Sequence, residues 1–295
     1  MQKTTPETTI EEQALALNRW HAEANRLREL GHYAEAETCF RRALELAESL
    51  LTADDLRLAP LLNNLAVLGK YSGNFDEAER CYRRALAIAE QHLGEIHAEV
   101  ATLYHNLGGL AHARGRYEEG EPLARRAVEI RTQLLGTEHP HVLADLVAWA
   151  GLLDGLKRFE KSEGIYRRAL AFYETQQEEY EIAITLNNLA AVCQATKRFD
   201  EAERHFRRAL TLKETLLGTE HPDVAVTLNN LGLLLKQQGK LVEAAACYQR
   251  ALAIFEATLL PDHPKLRTIR TNLEKLAQAT STANNDQDQT NATPT

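Results

Sequence analysis

Aromatic residues and chain breakers are scarce in this sequence. Phe, Trp and Tyr make up 6% of the 295 residues, beside 15 glycines, 8 prolines and one methionine. A sheet core draws on β-branched and aromatic residues, so the shortage of aromatics argues against one. Abundant Ala, Leu, Glu and Arg with few breakers favour helices. Apolar residues reach 44%, enough to form a core, and the composition therefore predicts a helical protein.

Membrane and nucleic-acid functions also lack their usual signals. The sequence contains no run of about 18 apolar residues, the length that a membrane-spanning helix needs. Residues 1–10 lack the apolar stretch of a secretory signal. A net charge of −8 and a pI near 5.8 give no basic surface for phosphate backbones. We therefore expect a cytoplasmic protein with no nucleic-acid partner and no membrane insertion.

A short motif, Gly-x-aromatic-x-Glu-small, recurs along the chain with a fixed period. Successive copies start 42 residues apart, except for one interval of 40. A period of this length indicates a repeat architecture built from one supersecondary unit. The six copies start at Gly31, Gly73, Gly115, Lys157, Lys197 and Gly239.

Each unit reads as two amphipathic helices around this motif. In the second unit, Leu65 and Leu68 mark a buried stripe on the first helix, and Ala78, Tyr82 and Ala85 mark another on the second. The Gly between them suits the left-handed residue that ends a helix. One hairpin cannot bury its apolar faces alone, so the hairpins must stack. The sequence thus predicts an all-α solenoid whose concave face is lined by the first helices.

The repeat register divides the chain into three parts. Residues 1–12 are expected to be flexible, 13–279 to form the array, and 280–295, rich in Thr, Asn, Gln and Asp, to form a disordered polar tail. The predicted repeats are 17–58, 59–100, 101–142, 143–182, 183–224 and 225–266, followed by a capping helix at 267–279.

The connector Leu-Gly-x-x-His-Pro-x-Val stands intact at 135–142 and 217–224. With the helix motifs, it resembles the tetratricopeptide repeat, in the 42-residue variety found in kinesin light chains. The resemblance covers about 17–279 and implies tandem hairpins in a right-handed superhelix that binds peptide segments of other proteins. We expect the chain to be a monomer.

An asparagine recurs on the first helices, although Asn lowers helix propensity relative to Ala. In the related repeats this position contacts a bound peptide backbone, so we expect these amides to line the binding groove. The alternative is that they bond a neighbouring helix. This Asn64 column contains Asn64, Asn106, Asn188, Asn230 and, in the cap, Asn272.

A neighbouring Asn63 column is expected to stabilise stacking, with peptide binding as its alternative. It contains Asn63, Asn187 and Asn229, with His21, His105 and Val147 in the other repeats. Four further residues complete the candidate groove: Asn25, Lys70, His112 and Lys236.

The fourth repeat departs most from the pattern. Val147 and Ala148 replace both asparagines, and Gly151 and Gly155 stand at further positions expected to face the groove. These small residues predict a hollow for a bulky ligand group, or else they reflect decay of the repeat. Trp149 replaces a repeated Leu and is expected in the core.

Other recurrent polar residues are expected to have structural roles. Glu followed by Arg four residues later, as at Glu37 and Arg41, predicts ion pairs within the second helices. The connector histidines His97, His139, His221 and His263 are interpreted as marking helix starts, with Pro at the first helical position after two of them. Cys39, Cys81 and Cys247 are equivalent and are interpreted as packing residues.

No phosphate loop, HExxH motif or nucleophile elbow occurs in the sequence. We therefore predict a protein-binding scaffold or adaptor, with no enzyme activity, no cofactor and no metal. One alternative is a self-assembling module that uses the array ends or the tail at 280–295. A more remote one is a small-molecule sensor using the hollow at Val147 and Gly151.

Overall fold

The computed structural model describes residues 6–29, 32–259, 261 and 263–290. These residues form thirteen α-helices and no strand, which confirms the predicted all-α class. The helices are α1 (Pro6–Glu29), α2 (Tyr33–Leu50), α3 (Leu58–Ser72), α4 (Phe75–Leu93), α5 (Ala98–Ala113), α6 (Tyr117–Leu135), α7 (Pro140–Gly155), α8 (Phe159–Gln176), α9 (Glu179–Ala195), α10 (Phe199–Leu217), α11 (Pro222–Gln237), α12 (Leu241–Thr258) and α13 (Pro264–Thr290).

The helices follow the predicted order, with two helices per repeat from α1 to α12 and with α13 in the cap position. The terminal helices are longer than the sequence indicates. Helix α1 begins at Pro6, and α13 continues to Thr290 through residues expected to be disordered. No Gly or Pro lies between residues 265 and 290, so nothing local ends that helix. Residues 1–5, 291–295 and Gly31 lie outside the described residues.

The chain forms two compact units, one of residues 1–157 and one of residues 158–295. The boundary falls in the turn of the fourth repeat. In each unit, helices adjacent in sequence pack on each other. The first helices also contact one another directly: α3, α5 and α7 in one unit, and α9, α11 and α13 in the other. Each unit therefore has a layer of first helices.

Small residues allow the two helices of a hairpin to approach closely. At Gly120, an added Cβ would lie 2.7 Å from Leu152 Cδ2 and 2.8 Å from Ala111 Cβ. Spacing this short leaves no room for a larger side chain. The equivalent residues Ala36, Ala78, Gly120, Ser162, Ala202 and Ala244 are all buried, as their register predicts.

The turn inside each hairpin requires a left-handed residue. Gly73, Gly115 and Gly239 have φ of 84°, 70° and 78°, which confirms the prediction for glycine. Lys157 and Lys197 take the same conformation, with φ of 58° and 63°. A side chain there costs energy that glycine avoids, so the geometry of the hairpin overrides the local preference of lysine.

The connector histidines cap the helices that follow them. Nδ1 of His97, His139 and His221 accepts a hydrogen bond from the backbone N–H two residues later, at 3.1–3.2 Å. Nδ1 of His263 accepts in the same way from Lys265 at 3.0 Å. The predicted helix starts are therefore confirmed, and the imidazole fills the position usually held by Ser, Thr, Asp or Asn.

The predicted Glu–Arg pairs form within the second helices and extend to their neighbours. Arg41 bonds Glu37 on its own helix at 2.6 Å and Glu77 on α4 at 2.5 Å. Arg207 likewise bonds Glu203 and, on α12, Glu243. Within each unit, second helices of successive repeats thus meet through long charged side chains, whereas the first helices contact each other closely.

Candidate functional site

The two asparagine columns form one hydrogen-bonded series, which we call the amide ladder. Asn106 Nδ2 donates to Asn63 Oδ1 on the preceding first helix at 2.8 Å. In the second unit, Asn230 donates to Asn187 at 3.4 Å and Asn272 donates to Asn229 at 3.0 Å. Each bond joins an Asn64-column donor to an Asn63-column acceptor one repeat earlier. Asparagines of both columns therefore form the hydrogen bonds between neighbouring helices that a role in stacking requires.

The amide ladder keeps hydrogen-bonding capacity at the surface. A primary amide offers two N–H donors and an oxygen with two acceptor sites, and each ladder bond uses one donor. Asn63, Asn106, Asn229 and Asn230 are half-buried. Asn187 is 8% exposed and also donates to Asn188 at 3.3 Å. Peptide binding by the Asn64 column stays a prediction, and the ladder geometry leaves room for it.

In the first unit, histidines extend the amide ladder where the Asn63 column lacks asparagine. His21 Nε2 lies 3.4 Å from Asn64 Nδ2. His105 Nδ1 lies 2.8 Å from Asp145 Oδ1 on α7. Burial, together with the charge of Arg28, lowers the pKa of His21, so its ring stays neutral and able to accept the hydrogen bond near neutral pH.

A buried acid near the ladder was not predicted from the sequence. Asp145 is 3% exposed and its second oxygen accepts from Arg131 Nε at 2.6 Å. Arg131 also donates to Thr102 at 3.2 Å. The acid, the arginine and His105 come from three helices, α7, α6 and α5. None of these pairings recurs in the other repeats, so the repeat pattern gave no signal for them.

A second buried cation occupies the position equivalent to Arg131. Lys213 on α10 donates a hydrogen bond to Thr227 Oγ1 at 3.1 Å. Thr227 of the sixth repeat occupies the position that Asp145 occupies in the fourth. Burial lowers the pKa of Lys213, although Asp223 opposes the shift. The first two repeats have Ala47 and Ala89 at the cation position, each in the apolar core.

The remaining candidate groove residues have mixed environments. Asn25 Nδ2 donates to the carbonyl of His21 on its own helix at 3.1 Å, so that amide donor is used locally. Lys70 extends its ammonium towards Gly109 on the next first helix. His112 is exposed and its ring packs edge-on against Tyr117, while Lys236 is half-buried.

In the fourth repeat, one predicted position is wrong. Gly155 does not face an open groove, because a Cβ there would lie 2.2 Å from the ring of Tyr117. Trp149 is buried at 9% exposure, as predicted, and its indole N–H donates to Glu121 at 3.0 Å. Val147 is buried, whereas Ala148 and Gly151 are half-buried. A ligand hollow at these three residues stays a prediction.

The three equivalent cysteines pack as expected. Cys39 is in the apolar core of the first unit, Cys81 packs against it, and Cys247 packs against the core of the second. All three are free thiols. None of the helices in the described part of the chain combines the length and the apolar composition that crossing a bilayer requires.

Solved structures share this arrangement of helices. The crystal structure of BtubC (BKLC) from P. vanneervenii is 28% identical, covering 82% of this chain and 91% of that one, with a TM-score of 0.52. A Podosopora anserina putative kinesin light chain with nearly identical TPR-like repeats is 20% identical, covering 68% and 97%, with a TM-score of 0.51. A Rap protein complexed with Competence and Sporulation Factor is 14% identical, covering 90% and 76%, with a TM-score of 0.60.

No curated protein matches the chain. The family model of the tetratricopeptide repeat matches residues 12–91, 99–175, 181–257 and 227–281. These matches cover most of helices α1 to α13. The chain belongs to the tetratricopeptide repeat family.

Proposed function

We propose that the chain is a protein-interaction scaffold that holds an extended peptide or short helix of a partner along its first helices. The observation that carries this proposal is the amide ladder. Its asparagines lie on the face where first helices contact one another, and most of them remain half-exposed. Asparagines that served only stacking would be free to lie deeper, whereas these keep donors and acceptors available to a peptide backbone.

The family and a structural relative agree with this function. Tetratricopeptide repeat hairpins stack into extended surfaces that suit peptide binding. The solved Rap protein, which shares the fold, is complexed with Competence and Sporulation Factor. Each backbone contact contributes about 0.5–1.5 kcal/mol, so a few amides give modest affinity. Specificity then rests on neighbouring side chains of the first helices, such as Lys70, His112 and Lys236.

A matched pair of variants separates peptide binding from stacking. Asn63→Ala and Asn106→Ala remove opposite ends of the same hydrogen bond, so they are expected to lower fold stability by similar amounts. Only Asn106→Ala also removes the amide that we propose contacts the partner. The full chain and both variants serve as bait in source-cell extract, and captured proteins are quantified by mass spectrometry.

A partner of the groove is expected to be depleted with Asn106→Ala and kept with Asn63→Ala. Circular dichroism and denaturant unfolding confirm that both baits are folded. Equal capture by all three baits would contradict the groove proposal. Equal loss with both variants would show that the Asn106 amide acts only through stacking.

Self-assembly through an array end is a second candidate, and one feature favours it. Helix α1 carries an exposed Leu15 and a half-buried Trp20, which line a shallow hollow with Ala16 and Arg19. Exposed apolar groups of this kind mark interaction sites when they cluster. Light scattering over a concentration series tests this candidate: a constant monomer mass contradicts it, and a mass that falls with Leu15→Glu supports it.

A further inference from the structure

Two residues of the fifth repeat break the repeat pattern and meet each other. Cys193 lies in the last turn of α9, where other repeats have Leu27, Gly69, Ala111, Leu153 and Leu235. His205 lies on α10, where other repeats have Cys39, Cys81, Leu123, Ile165 and Cys247. Repeat symmetry therefore explains neither residue.

Glu201 completes a cluster with these two side chains. It lies one helical turn before His205 on the same face of α10, while α9 supplies Cys193 across the tight turn of the hairpin. One ligand atom from each of the three residues lies within 4.8 Å of the other two. Thiolate, imidazole and carboxylate are the ligand types that zinc prefers. A tetrahedral zinc site places its ligand atoms roughly 3.3–3.6 Å apart, so side-chain movements of about 1 Å would close the cluster.

The buried imidazole nitrogen of His205 has no hydrogen-bond partner among the described residues. Nε2 of His205 is buried and makes no hydrogen bond within the part of the chain that the structure describes. The nearest oxygen of Glu201 is 3.5 Å away. Buried polar atoms without partners are rare in native proteins, and a bound ion is one way in which such an atom is satisfied. Burial lowers the pKa of His205, which keeps the ring neutral, the form that ligates metals.

Glu201 has capacity for a ligand bond beside its ion pairs. Arg167 donates to Oε1 at 2.9 Å and Arg198 donates to Oε2 at 3.1 Å. A carboxylate has about four lone-pair sites, so both arginine bonds can persist while one oxygen coordinates. Although burial raises it, the arginine contacts on balance lower the pKa of Glu201 and keep it ionised. Their positive charge also weakens the attraction for a cation, so moderate affinity is expected.

We propose that Cys193, Glu201 and His205 form a transition-metal site that prefers Zn²⁺. Coordination would bond the metal to Cys193 Sγ, a Glu201 oxygen and His205 Nε2, with a fourth position open to water. Burial raises the thiol pKa of Cys193 to about 11, and a bound metal displaces that proton to solvent. The site would join the two helices of the hairpin, so metal binding is expected to stabilise the fifth repeat.

Cobalt provides a probe that reports thiolate ligation directly. The purified full chain is stripped with a chelator and titrated with Co²⁺, and a thiolate-to-cobalt charge-transfer band is followed in the ultraviolet spectrum. We expect the band in the wild type and its loss when Zn²⁺ is added. Cys193→Ala is expected to abolish it and His205→Leu to weaken Co²⁺ binding at least tenfold. Together these changes reproduce Ala111 and Leu123 of the third repeat, so both variants should fold, which circular dichroism checks.

Two control variants exclude other thiols and imidazoles. Cys247→Ser removes a thiol outside the cluster, and His141→Gln disrupts the pair of rings at His139 and His141, whose centroids are 5.2 Å apart. Both controls are expected to keep the band. Absence of the band in the wild type, or its persistence in Cys193→Ala, would overturn the proposal.

Discussion

The sequence indicates the structural position of some polar side chains inside the array but not of others. The asparagine columns stand out because they recur, but the amide ladder joins residues one repeat and one position apart, an offset set by the packing of neighbouring helices. Asp145 and Arg131 occur once each, so no repetition marks them. Only the structure shows that α6 and α7 bring them within 2.6 Å.

The pair of Asp145 and Arg131 is expected to depend on both members. Asp145→Leu alone leaves the arginine nearly buried without its partner, which costs about 3 kcal/mol of unfolding free energy. The double variant with Arg131→Ala reproduces Ala89 and Leu103 of the preceding repeats, and we expect it to recover most of that loss. Urea unfolding of the three proteins measures the coupling, and additive losses would contradict the proposed pair.

Lys213 provides a test that depends on pH. Its pKa is lowered by burial, so between that lowered value and about 10.5 the unfolded chain binds more protons and stability rises with pH. Thr227 keeps a hydrogen bond to the carbonyl of Asp223 when the lysine is removed. Lys213→Met is therefore expected to stabilise the fold by about 1 kcal/mol near pH 8, because it removes a buried charge and leaves the Thr227 hydroxyl with a hydrogen-bond partner.

Urea unfolding at about pH 8 and about pH 10 tests this expectation. The difference in unfolding free energy between wild type and Lys213→Met is expected to become smaller at the higher pH, because the wild-type lysine loses its proton. A difference that is constant, or that grows, contradicts the assigned charge state. Lys236→Met, on a half-buried lysine of α11, is the control and should change little.

At the scale of elements, the sequence predicted most of the hairpins and their turns. The period located each turn, and the turn glycines correctly indicated left-handed residues. The ends of the array were harder, because α1 and α13 extend through segments whose composition is polar but contains few breakers. Gly155 was placed in the groove from its register, yet Tyr117 covers it, since register alone does not show which neighbouring side chain fills a gap.

Lys197 offers a stabilising substitution at this scale. A non-glycine residue in the left-handed region costs about 1–2 kcal/mol, and glycine loses about 0.5–1 kcal/mol through chain entropy. Lys197→Gly should therefore stabilise the fold by about 0.5–1 kcal/mol. Lys197→Ala keeps the strain and serves as the control. Thermal unfolding of both variants checks this, and equal melting temperatures for the two would contradict the assigned strain.

At the scale of the molecule, the repeat motif predicted the family and the order of the hairpins. It did not predict the division into two units at residues 157 and 158, although the fourth repeat, which contains this boundary, was marked by its lost asparagines and shorter interval. We propose that the first helices carry the function, because half-buried amides on these helices are common to both units. Side chains such as Asp145 and Cys193 have no counterpart of the same type at the equivalent positions of the other repeats, and they distinguish their repeats from the rest of the array.

Hydrogen–deuterium exchange with a captured partner shows which helices the partner covers. We expect slower exchange in the first helices, α3 and α5 in one unit and α9 and α11 in the other, when the partner is bound. Protection there should weaken with Asn106→Ala and persist with Asn63→Ala. Protection confined to the second helices α4, α6, α10 and α12, or to α1 alone, would contradict binding along the amide ladder.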